Sequence, residues 1–104
     1  MIKLSKTRYR TTNMIIQTIL EGILRAERDK YNQRNGIIKS HLIEYSGLKV
    51  AIAEKYLLKL ENAGYVESHT EPWGERTINI YATTTKGKER YQWFVQINTE
   101  MEEV

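Results

Sequence analysis

"LKVAIAEKYLLKLENAGYV", residues 48–66, carries the pattern that decides the fold. Ile52, Ala53, Tyr56, Leu57 and Leu60 recur at the 3.6-residue period of a helix with one buried face. Gly64 stands just past the last of them, where a helix ending in a left-handed residue takes glycine. The spacing predicts a helix over residues 48–63 whose aliphatic side is anchored in a core. Lys49, Val50, Ala51, Glu54 and Lys55 are left on the opposite side near its start.

Upstream, "IIKSHLIEYS" (37–46) predicts a short strand at Ile37 and Ile38, then a short helix beginning near Ser40 with Leu42 and Ile43 inward. Gly47 ends it after barely two turns. Two helices across a tight glycine-bearing turn, the second longer, form a helix-turn-helix pattern. Downstream, "YVESHT" and "RTINIYAT" flank "EPWGER" (71–76) and read as a hairpin. In the second strand Ile78, Ile80 and Ala82 alternate with Thr77, Asn79 and Tyr81, the period of a half-buried strand with the first set inward. Pro72 and Gly74 read as turn residues, which puts Trp73 at the hairpin tip.

The flanks are helical. Ile15, Ile16, Ile19, Leu20, Ile23 and Leu24 predict a helix from Asn13 to about Lys30, with Thr12 or Asn13 as its cap. "RAERDKYNQ" reads as its solvated end and a linker, broken by "NG" at 35–36. A last helix runs from Thr84, with Tyr91, Phe94, Ile97, Met101 and Val104 apolar and Trp93 and Val95 widening that face. The order is helix, short strand, helix, turn, helix, hairpin, helix. The fold class expected is α+β, a winged helix-turn-helix of three core helices and a hairpin wing, with a C-terminal dimerisation helix. The expected organisation is a basic arm (1–12), a winged-helix domain (13–83) and the dimerisation helix (84–104).

Four stretches together resemble small archaeal winged-helix DNA-binding proteins that dimerise through a C-terminal helix, and more distantly PadR- and MarR-type regulators. "GIIKSHLI" (36–43) is similar to the start of that family's first helix-turn-helix helix, and residues 48–66 to its recognition helix. "YATTTKG" (81–87) resembles the motif that closes the wing, and the apolar C-terminal helix completes the likeness. Thr83 departs from the aliphatic residue usual there, so a looser wing base is expected, and the segment before Gly36 is longer than expected. The resemblance implies a homodimer on double-stranded DNA, as a transcription regulator or nucleoid-architectural protein. The alternative on the same fold is a protein-interaction module in a larger assembly.

Composition fits a DNA partner. The net charge is +3, and its distribution is uneven. Lys3, Lys6, Arg8 and Arg10 stand at one end without an acid, and "EMEEV" (100–104) carries three glutamates at the other. A major groove admits one helix, whose N-terminal half reaches base edges. Lys49 and Lys55 are placed for phosphates or guanine edges, and Val50 and Ala51 for a thymine methyl. With no arginine, asparagine or glutamine read on that side, sequence specificity is expected to be modest. Lys39 and Ser40 sit at a helix N-terminus that favours phosphate, where Ser40 also reads as a cap. On the wing, Arg76 is the minor-groove candidate with His69 across the hairpin, and Trp73 contacts DNA, its own sheet or a partner. An arm and helix that neutralise about five phosphates give a salt slope of about −4 to −5 per protomer.

In the last helix Tyr91, Phe94, Asn98 and Met101 follow heptad spacing with Trp93 and Ile97 beside them, a dimer seam with Asn98 as its polar register residue. Chemistry is thin elsewhere. There is no cysteine, and the two histidines, His41 and His69, are far apart. "KGKE" (86–89) lacks the Ser/Thr and first glycine of a phosphate-binding loop. Neither an enzyme, a cofactor, a metal nor a small-molecule ligand is expected. With no apolar run long enough for a membrane helix and no signal-like start, the expectation is a cytoplasmic, nucleoid-associated protein.

Overall fold

The computed structural model describes residues 10–103. It holds helix α1 (Thr12–Arg28), strand β1 (Ile37–Ile38), helices α2 (Lys39–Ser46) and α3 (Val50–Asn62), strands β2 (Val66–Trp73) and β3 (Arg76–Thr83), and helix α4 (Thr85–Glu103). The strands form one antiparallel sheet of order β1-β3-β2. Ile15, Ile19, Leu20 and Ile23 of α1 meet Leu42 of α2, Leu57 and Leu60 of α3, Val66 of β2 and Tyr81 of β3 in a single core.

The cap of α1 falls one residue before the positions read from the sequence. Thr11, not Thr12 or Asn13, accepts the Met14 amide at 3.2 Å through Oγ1. Arg25 and Arg28 in its last turn oppose the negative end of the helix dipole, and it stops at Arg28 rather than Lys30. Beyond it Asn32 Nδ2 donates to the carbonyls of Ala26, at 2.8 Å, and Gly36, at 2.9 Å. That side chain ties the helix end to the start of the sheet, so the linker is a packed element.

The helix-turn-helix is held by Ser46, which is buried. Its Oγ donates to the Ile43 carbonyl at 2.6 Å and accepts the Leu48 amide at 3.2 Å. Helix α3 ends in a Schellman motif: Tyr65 N–H donates to Leu60 O (2.9 Å) and Gly64 N–H to Glu61 O (3.0 Å), with Gly64 at φ +80°. The core side of α3 is Ala53, Leu57 and Leu60 with Tyr56 half-buried. Ile52, expected inward, is 44% exposed. Ala53, Leu57 and Leu60 cluster on one side of the 100° wheel, and Ile52 lies about 100° away from their centre.

The hairpin is longer and tighter than its sequence suggests. Trp73 pairs with Arg76 and Pro72 with Thr77, so only Gly74 and Glu75 form the turn. Gly74 has φ +62° and Glu75 a negative φ, the pattern of a type II′ turn. Pro72 is therefore a strand residue, tolerated because β2 is an edge strand with no neighbour on its outer side. Trp73 ends β2 instead of standing at the tip. The expected one-sided alternation also fails: Tyr81 enters the core while Ile80 is buried on the opposite face, beneath Gly36. Both faces of β3 are covered because the linker lies over the second one.

Helix α4 is capped by Thr84, whose Oγ1 donates to Gly64 O (2.6 Å) and accepts Gly87 N–H (3.0 Å). Gly87 is buried against the Tyr65 backbone, where a Cβ would overlap the carbonyl oxygen. The helix then runs along α1, with Phe94 edge-on to Tyr65 at 6.3 Å between ring centroids.

Candidate nucleic-acid interface

Because α3 buries Ala53, Leu57 and Leu60, its opposite side is turned away from the molecule. Ala51, Lys55, Leu58 and Asn62 follow one another along that side, with Ile52 and Lys59 on one flank and Glu54 on the other. All seven are exposed, as are Lys49 and Val50 at the helix start. Lys49 and Lys55 are thus occluded by nothing in the chain's own fold among the described residues. Leu58, Lys59 and Asn62 were missed in the sequence. The signal was present in "YLLKL", since two adjacent leucines 100° apart cannot both face one core.

Glu54, the one acid on this side, does not stand alone. Lys39 Nζ lies 2.8 Å from its Oε2, and this hydrogen bond raises the lysine's pKa against the opposing effect of desolvation. Lys39 was expected to meet phosphate; instead it ties the start of α2 to α3 and neutralises Glu54. Ser40 was read as a cap, but Ile38 occupies the cap position without a side-chain bond and Ser40 is an exposed residue of the first turn. The helix follows β1 without a linker, so the last strand residue has to serve.

Arg10 lies over the turn between α2 and α3, with Nη2 3.7 Å from where a Cβ on Gly47 would sit. This brings one cation of the basic arm beside the start of α3. Lys3, Lys6 and Arg8 lie outside the described residues.

On the wing, Ser40, Trp73 and Arg76 line a single cleft with Ile38, His41, Glu75 and Ile78. His69 is not among them. It pairs with Ile80 rather than lying across from Arg76, and its Nε2 sits 3.0 Å from Glu71 Oε2. The same Glu71 faces Arg34 of the linker at 3.5 Å, and the Arg34 guanidinium stacks 5.0 Å from the Trp73 ring centroid. Arg34 Nε is buried without a hydrogen bond, so its hold on the wing is one of charge and stacking. Trp73 is 53% exposed, backed by Arg34 on one side and open on the other. Within the chain its partner is Arg34, and its exposed side faces the cleft shared with Arg76. The loose wing base expected from Thr83 is absent: Thr83 N–H and Oγ1 donate to the two oxygens of Glu27, at 3.0 and 2.6 Å. The polar side chain has a carboxylate waiting for it on α1. At the other end of the wing, Ser68 Oγ donates to Glu61 at 2.9 Å and couples β2 to the end of α3.

Two solved structures share this arrangement. Sso10a-2, a DNA-binding protein from Sulfolobus solfataricus, superposes with a TM-score of 0.63 at 24% identity, over 90% of this chain and 87% of that one. The fold is a winged helix-turn-helix. A point mutant of MepR, from a multidrug-resistant S. aureus clinical isolate, gives a TM-score of 0.65 at 17% identity, over 97% of this chain and 65% of that one. At these identities the likeness is one of architecture. No protein-family model and no curated protein sequence matches the chain. In the winged helix seen here α3 occupies the recognition-helix position, β2 and β3 form the wing, and α4 is the C-terminal extension.

The residues read as a dimer seam divide into two sets. Tyr91 and Phe94 pack against the core, and Asn98 is buried with Nδ2 donating to Gln17 Oε1 (2.6 Å) and Asn13 O (3.2 Å). Asn98 therefore fixes α4 on the chain's own α1, not the register of a seam. Trp93 (56% exposed), Ile97 (46%) and Met101 (69%) fall at i, i+4 and i+8 on the outer side. Arg90 stacks on the Trp93 ring at 4.2 Å. Among the described residues no helix is long and apolar enough to cross a membrane, and no cluster of three metal-binding side chains occurs.

Proposed function

We propose that this chain binds double-stranded DNA as a homodimer, with α3 in the major groove and the wing at the adjacent minor groove, as a transcription regulator or nucleoid-architectural protein. The observation that carries this reading is the outward side of α3. Lys49 and Lys55 are exposed there, Arg10 stands beside the helix start, and the single acid is neutralised by Lys39. Lysines supply the phosphate contacts on which duplex affinity rests. Sso10a-2, which has the same fold, is described as a DNA-binding protein. Residues 1–12 act as a phosphate-tracking arm, 13–83 as the binding body and 84–104 as the pairing helix. Within that helix Trp93, Ile97 and Met101 form the apolar contact between copies, and the two-fold sets the recognition helices about 34 Å apart.

The test is a fluorescence-anisotropy titration of a labelled duplex at ~100 mM salt. Lys49→Glu/Lys55→Glu is expected to lower affinity at least tenfold with the fold intact by circular dichroism. Equal binding by the two proteins would refute the placement of α3. Discrete palindromic sites in a genome-wide footprint would mark a regulator, and diffuse coverage an architectural role.

A further inference from the structure

We infer that α3 reads thymine methyl groups, and that the preferred duplex carries thymines where the helix enters the major groove. This rests on the DNA-binding reading above and specifies its substrate. Leu58, 60% exposed, and Ala51 lie on the side of α3 turned outward, with Ile52 (44%) on its flank and Val50 (58%) exposed at the helix start. From Val50 to Leu58 the axis advances about 12 Å, the rise of roughly three to four base pairs.

Each base edge asks for something different in the major groove. Guanine offers two acceptors, adenine an acceptor and a donor, cytosine a donor, and thymine an acceptor with a methyl group. The acceptor that would choose cytosine is Glu54, and Lys39 already holds it at 2.8 Å. The amide that would choose adenine is Asn62, the last residue of the helix. At the entering end Lys49 and Lys55 are assigned to phosphates, and the other exposed side chains, Val50, Ala51 and Ile52, are apolar; the base feature that rewards apolar contact is the thymine methyl. Lys49, Lys55 and Lys59 border these apolar groups. A rim of three lysines, with Glu54 paired to Lys39, suits a polyanion that also presents methyl groups, and this favours a duplex over an apolar protein partner.

The test needs no variant, because the methyl can be removed from the DNA. The full chain is titrated against a thymine-containing duplex, the same duplex with deoxyuridine for every thymine, and a G·C duplex with or without 5-methylcytosine. Deoxyuridine keeps the hydrogen-bonding pattern and loses only the methyl. The expected result is weaker binding by about fourfold for each methyl contacted, equivalent to ~0.8 kcal/mol. Methylating cytosine should recover part of the affinity on the G·C duplex. In Val50→Ser/Leu58→Ser the difference between thymine and deoxyuridine should shrink. Equal affinity for the thymine and deoxyuridine duplexes overturns the inference while leaving DNA binding intact, and assigns the apolar side to a protein contact. An undiminished difference in the double variant overturns the assignment to these side chains. No binding to any duplex overturns the DNA-binding reading itself.

Discussion

Glu54→Gln should make the protein bind DNA more tightly. In the native chain Glu54 and Lys39 neutralise one another at 2.8 Å, with 48% and 28% of their side chains exposed. The amide removes one negative charge from the side of α3 proposed to enter the groove and releases Lys39 to reach a phosphate. One added lysine–phosphate contact steepens log K against log salt by about 0.9 per protomer. At ~0.1 M salt, relative to ~1 M where the contribution vanishes, that is about eightfold in affinity, or roughly 1.2 kcal/mol. The loss of a partly exposed ion pair costs only about 0.2–1 kcal/mol of stability, so the fold survives. The assay is an anisotropy titration at several salt concentrations, with Glu89→Gln, an exposed residue of α4, as the control expected to change far less. An unchanged slope and affinity for Glu54→Gln would refute the idea that this side of α3 faces phosphate.

Trp93→Glu/Ile97→Glu should convert a dimer to a folded monomer in sedimentation; a monomeric wild type, or an unchanged mass in the variant, contradicts the proposed pairing. Asn98→Ala should instead lower thermal stability by about 1–3 kcal/mol, since it removes the two part-buried hydrogen bonds that hold α4 on α1, with oligomeric state unchanged. Gly87→Ala should destabilise more than Gly74→Ala in urea denaturation, because the first Cβ meets the Tyr65 carbonyl while the second meets no atom within 4 Å and costs only the ~1–2 kcal/mol of its positive φ. Stability should fall as pH rises above about 10: burial raises the pKa of Tyr45, Tyr81 and Tyr91 and the bond to Glu54 raises that of Lys39, so the unfolded chain binds fewer protons there. A urea midpoint that stays level through about pH 11 would contradict this.

What could be read in the sequence was local. Helix α3, its glycine stop, the break at Gly47 and the hairpin follow from periodicities of 3.6 and 2 and from turn chemistry, which need only neighbouring residues. Misplaced residues depended on distant partners. Asn98 has the spacing of a seam, and only the position of α1, far earlier in the chain, turns it inward. Tyr81 and Ile80 break the one-sided alternation because residues near Gly36 cover the second face of the sheet. Thr83 looked like a weak point because Glu27, on α1, was invisible as its partner. Arg34 carries no motif, yet it holds the wing through Glu71 and Trp73. The tryptophan was misplaced for a simpler reason: a proline reads as a turn residue, and its tolerance on an edge strand follows only from strand order. On the candidate interface, Lys49, Val50, Ala51 and Lys55 were legible from the core stripe alone, whereas the Lys39–Glu54 pair required the crossing of α2 and α3.

The central claim is that α3 occupies the major groove, and dimethyl sulfate footprinting tests it most directly because the reagent methylates guanine N7 on that groove's floor. On a bound duplex with guanines spaced along it, the account predicts N7 protection in two patches about one helical turn apart, lost in Lys49→Glu/Lys55→Glu. Guanines that stay fully reactive under saturating protein would contradict it.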